Sequence, residues 1–134
     1  MGIFELFGKK IAPVAGQSFD VQYELHPLKL PANKADYLEL EINLRNVTDT
    51  ELLTSVVLAI PKQIGFEGSA LSHEKEIRLG LLKPGELKHL KVNVYATQRT
   101  PKAIYPLMLY VISHYRDYGY VLNELKKRVD IRVE

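Results

Sequence analysis

The sequence predicts an all-β fold, a seven-stranded antiparallel sandwich preceded by a short N-terminal amphipathic helix. Three observations carry this. Apolar and polar residues alternate with a period of two along most of the chain, turn residues interrupt those runs at short spacing, and no connection carries the amphipathic crossover helix that parallel strands need. At 134 residues, with 46% hydrophobic and 25% charged side chains, the chain can bury one core, and the balance excludes a wholly disordered polypeptide. The expected organisation is an N-terminal segment and linker over 1–17 and one domain over 18–134.

In chain order, MGIFELFGKK places Ile3, Phe4, Leu6 and Phe7 at one-turn spacing before Gly8-Lys9-Lys10, which reads as a short helix ahead of a linker. In SFDVQYELH, Phe19, Val21, Tyr23 and Leu25 are expected to face inward. YLELEINLRN repeats the pattern with Leu38, Leu40, Ile42 and Leu44. The run from Leu53 to Ile60 is apolar but for Thr54 and Ser55 and stops at Pro61. A short strand follows at Glu74–Leu79, then Lys83-Pro84-Gly85-Glu86, where proline presets φ and glycine supplies a positive φ. Leu90, Val92 and Val94 alternate with polar residues, Ile104–Ser113 is apolar on both faces, and a last strand begins at Val121. Asn123 and Lys127 break its apolar face, and YVLNELKKRV also admits a helical stripe. The alternation running on through VDIRVE favours a strand.

These features in this order resemble the Ig-like accessory domains of the CARDB kind and the similar domain that accompanies NPCBM modules in bacterial galactosidases. The residues that carry the resemblance are Asn46, Pro61, Leu82, Pro84, Gly85, Glu86, Tyr105 and Pro106, over roughly two thirds of the chain. It implies an Ig-like sandwich acting as a non-enzymatic module. Asn46-Val47-Thr48 fits a glycosylation acceptor and also an Asx-type turn, and the turn is the expectation.

Chemistry is sparse. With no cysteine, disulfides, thiolate nucleophiles and cysteine-ligated metals are excluded. His26, His73, His89 and His114 lie on different elements without ligand spacing, so neither a metal nor a cofactor is expected. No serine stands in a Gly-x-Ser-x-Gly elbow, and no catalytic residue is assigned. A net charge of +2 gives no nucleic-acid footprint, and the absence of a signal-peptide pattern or a long apolar run makes the cytoplasm the expected location.

Two features remain. HYRDYGYVLNE links the last two strands as a hairpin, and Arg116, Tyr118 and Tyr120 are the expected protein-partner contacts, with Tyr115 structural, Tyr118 at the exposed turn and Gly119 intolerant of alanine if its φ is positive. The alternative is a small hydrolase or ligand-binding protein using His114, Arg116, Asp117 and the loop tyrosines. The doubly apolar third and sixth strands also predict a homo-oligomer through an outer sheet face built from Val56, Leu58, Ile60, Met108, Tyr110 and Ile112. Residues 1–10 are a second candidate cover for that face, and membrane contact through them is the weaker alternative. The reading is of a non-enzymatic binding or scaffolding module.

Overall fold

The computed structural model describes residues 18–134, so the expected N-terminal helix lies outside the described residues. The described chain is all strand and loop: β1 Phe19–His26, β2 Lys29–Leu30, β3 Asp36–Asn46, β4 Leu52–Ala59, β5 Glu74–Leu82, β6 Leu87–Ala96, β7 Ala103–His114 and β8 Val121–Val133. They form two sheets, β1-β3-β6 and β2-β8-β7-β4-β5. No described helix is long and apolar enough to cross a membrane.

The expectation of seven antiparallel strands is corrected in one respect. β2, two residues between Pro27 and Pro31, pairs parallel with the end of β8, giving eight strands and a mixed second sheet. Prolines bracket it so closely that no alternation is readable there. Every other pairing is antiparallel, and the segment from Val121 is a strand throughout, not a helix.

Inward residues of β3 (Leu38, Leu40, Ile42, Leu44) and β6 (Val92, Val94) meet those of β4 (Val56, Leu58), β7 (Leu107, Leu109, Val111) and β8 (Val129, Ile131, Val133) in one core. Phe19 and Val21 join it, whereas Tyr23, expected inward, is exposed near the end of the edge strand β1. Lys127, an anomaly in the apolar face of β8, reaches across to donate to the Val21 carbonyl at 3.0 Å.

The corner where the chain changes sheet is built on Asn46, which is fully buried. Its side-chain Nδ2 donates to the carbonyls of Thr50 (2.8 Å) and Leu82 (2.9 Å), and its Oδ1 accepts from the Thr48 amide and hydroxyl. This is the Asx turn expected from Asn46-Val47-Thr48, and it leaves no free amide for a glycan. The Asn46 main chain bonds Gly85 and Glu86 of the Pro84-Gly85 turn, in which Gly85 sits at φ 78. Replacing Asn46 with alanine orphans several buried groups at once. Denaturant unfolding should show Asn46→Ala destabilised by at least about 1–3 kcal/mol, the cost of one unsatisfied buried polar group.

Candidate functional site: the β7–β8 hairpin end

At the end of β7 the chain turns through Tyr115–Tyr120, closed by the Tyr115 amide donating to the Tyr120 carbonyl at 2.9 Å. Within it, the Asp117 amide donates to the Tyr115 carbonyl at 2.8 Å around Arg116, held at φ 71. A non-glycine residue in that region is strained. Asp117 Oδ1 then accepts from the Gly119 amide at 2.8 Å, and the Tyr120 amide donates to the Asp117 carbonyl. The positive φ therefore falls on Arg116. Gly119 is not at positive φ, so the condition under which it would resist alanine is not met, and its amide donates to Asp117.

The roles of Tyr115 and Tyr118 are the reverse of those expected, while Tyr120 faces outward as expected. Tyr118 folds back over the outer face of the five-stranded sheet, where its hydroxyl accepts from the Gly80 amide at 2.9 Å. Its ring stands edge-on to His114 at 5.0 Å, and the Arg78 guanidinium stacks on it at 4.6 Å. Tyr115 is 52% exposed, with the Arg116 guanidinium 5.2 Å from its ring centre, and Tyr120 is 61% exposed. Arg116, Tyr115 and Tyr120, followed by the exposed Val121 and Leu122, thus form the outward surface, and Tyr118 is the latch that holds it beside β5.

Beneath the latch, His114 is buried and its Nε2 lies 2.7 Å from the hydroxyl of buried Ser55. Its Nδ1, also buried, makes no hydrogen bond of good geometry among the described residues. That separation suits a nucleophile and its base. Ser55 is only 1% exposed, however, and no carboxylate is bonded to Nδ1 to orient the ring. The geometry makes the pair a packing element under Tyr118. Burial pushes the His114 imidazole below its ordinary range, opposed by the Tyr120 carbonyl and the Glu76 and Asp117 carboxylates and reinforced by Arg78.

The outer-face residues divide. Val56, Leu58 and Ile60 are buried in the core, which corrects their assignment to an outer face, because Val56 lies opposite Val111 and Leu58 opposite Leu109, both core residues. Met108, Tyr110 and Ile112 do lie outside, half-buried. Their neighbours are Ala59, Val57 and Ser55 across from them on β4. Charged side chains flank this strip, and Lys126 Nζ stands 5.9 Å from the Tyr110 ring centre. The other histidines lie on different elements, as expected, yet two of them meet in space. His26 and His89 converge on Glu41 on the outer face of the three-stranded sheet, whereas His73 stands alone in the β4–β5 connection.

No protein-family model matches the chain, and no curated protein matches it. Solved structures do. The CARDB domain of the PF1109 protein from Pyrococcus furiosus, in complex with di-metal ions, is 21% identical over 95% of this chain and 98% of that one, with a TM-score of 0.52. PapD-like domain 7 of human CEP192 is 15% identical over 100% and 96%, at 0.46. Spo0M, a sporulation control protein of Bacillus subtilis, is 11% identical over 88% of this chain at 0.49, and the chain spans only 50% of it. The CARDB likeness, at this identity, is one of fold, and it agrees with the Ig-like sandwich that the turn motifs imply.

Two outcomes follow from the latch. Tyr118→Phe, losing the bond to Gly80, should destabilise by about 1 kcal/mol, whereas Tyr115→Ala should stay within about 0.5 kcal/mol, both measured by denaturation. Because the folded His114 resists protonation, the unfolded chain takes up the proton first as pH falls through about 6.5. Stability contributed by the neutral ring should therefore decline from there until the folded state is protonated too. Urea unfolding of the parent and His114→Gln between pH 7.5 and 5.5 checks this, with the smaller pH dependence expected in the variant.

Proposed function

We propose that this chain is a non-enzymatic binding or scaffolding module whose partner surface is the β7–β8 hairpin end. The observation that carries the proposal is the division of labour within the hairpin. Tyr118 is spent on anchoring, which leaves Arg116, Tyr115 and Tyr120 held in fixed geometry toward solvent. Arginine and tyrosine are the residues enriched at binding hot spots, and backbone strain such as that at Arg116 concentrates at ligand clamps and switches. The hydrolase alternative is not favoured, since Ser55 and His114 are covered and a nucleophile needs access to its substrate.

Self-association belongs to the same reading, through Val57, Met108, Tyr110 and Ile112 on the outer face of β4 and β7. The strip is narrow and flanked by long charged side chains, so it suits a lateral contact between copies better than a permanent interface. The contact surface is tested by affinity capture from the source with the parent chain and with an Arg116→Ala/Tyr120→Ala variant. A protein retained by the parent and lost with the variant, at unchanged melting, is the expected result, while light scattering of the parent at micromolar concentration should give a dimer mass. Equal capture by both chains would exclude the hairpin, and a monomer mass would remove self-association.

A further inference from the structure

The outer face of the three-stranded sheet carries a donor set that a contact surface on the hairpin does not use. Antiparallel register puts Glu24 directly opposite Glu41, and Asn43 directly opposite His89. Opposed side chains of one sheet face approach within about 5 Å, and two carboxylates so placed repel. Between them stands the His26 ring, with Nε2 3.0 Å from Glu41 Oε1 and 3.3 Å from Glu24 Oε1. A nitrogen with one N–H can point well at only one of the two carboxylates.

The second oxygen of Glu41 faces the other strand. Oε2 lies 3.5 Å from His89 Nε2 and 3.8 Å from Lys91 Nζ. His89 Nδ1 is 2.7 Å from Asn43 Oδ1, a carbonyl oxygen that only accepts, so Nδ1 carries the ring proton. In the neutral ring, Nε2 then turns its lone pair toward a carboxylate oxygen. That contact is repulsive on its own, and it is the tautomer that a second partner fixes in a metal-binding histidine. One divalent cation would relieve both the Glu24–Glu41 and the His89–Glu41 contacts. Candidate ligand atoms of Glu24, His26 and Glu41 already lie within 4.8 Å of one another. Donors around one ion at about 2.0–2.2 Å stand closer than that, so the exposed Glu24 and His26 must rotate toward the more covered Glu41, and His89, outside that group, must swing in from its contact with the other Glu41 oxygen.

We propose that Glu24, His26, Glu41 and His89 form a binding site for one divalent transition-metal ion of the zinc class. Two imidazoles with two carboxylates are the donors such ions take, while the nitrogens disfavour calcium and magnesium. Glu24 and His26 also line a groove of ≈ 430 Å³ with Tyr23, Leu25 and Leu28, so the ion has an open approach from solvent. The site rests on strand pairing alone, independently of the hairpin and of any partner.

Cobalt(II) titration of the full chain, followed by visible absorption, tests the site, with folding of every variant checked by circular dichroism. The expected result is d–d absorption that saturates at one equivalent and is displaced by zinc but not by excess calcium. His26→Ala and His89→Ala should each weaken cobalt affinity at least tenfold while keeping the β-sheet spectrum. Absence of saturation at one equivalent, displacement by calcium, or a histidine variant that binds as the parent does would overturn the proposal and leave only adventitious surface coordination.

Discussion

Asn46 ties together two of the chain's changes of sheet. The chain leaves the three-stranded sheet after β3 and returns to it after β5, and both crossings meet at this residue, one through Thr48 and Thr50, the other through Leu82, Gly85 and Glu86. Buried carbonyls at a strand crossover have no ladder partner, and an unpaired one costs free energy comparable to a lost hydrogen bond. An asparagine supplies two donors and an acceptor in one plane, which is what three loop segments converging on one point require. With this corner pinned, β4 starts and β5 ends at fixed points, and their pairing with each other and with β7 sets which face of each looks outward.

The two outer faces that result have different chemistry. On the five-stranded sheet, β4 and β7 are apolar on both sides, and the structure covers one end of the outer side by folding Tyr118 onto His114 and clamping it with Arg78 and the Gly80 amide. His114 is thereby desolvated, and its hydroxyl partner Ser55 with it. On the three-stranded sheet the outer side is charged and open, and Glu41, in the central strand, collects partners from both neighbours. Burial decides the behaviour of the first face and register decides that of the second.

Much of this was legible in the sequence. The seven long strands, the Pro84-Gly85 turn, the Asx turn at Asn46 and the hairpin after His114 all follow from alternation and from local backbone preferences, and the structure contains each of them. β2 was not legible, since two residues between prolines carry no period. The phase of β4 was not legible either: a run apolar at every position from Val56 to Ile60 gives no alternation to read, and only pairing with β7 puts Val56 and Leu58 inside.

The hairpin shows the same boundary at the scale of single side chains. Sequence identifies HYRDYGYVLNE as a turn rich in contact residues, but which tyrosine is anchor and which is surface depends on Arg116 taking a positive φ and on an irregularity between Ser113 and His114. Likewise, Glu24, His26, Glu41 and His89 show no spacing in the chain that suggests a cluster. By itself the sequence determined the β class, the turns and the residues available for recognition, because those are set by local sterics and side-chain periodicity. Tertiary structure alone decided which face each strand buries and which distant side chains meet, because the two faces of a strand are equivalent until it pairs and packs.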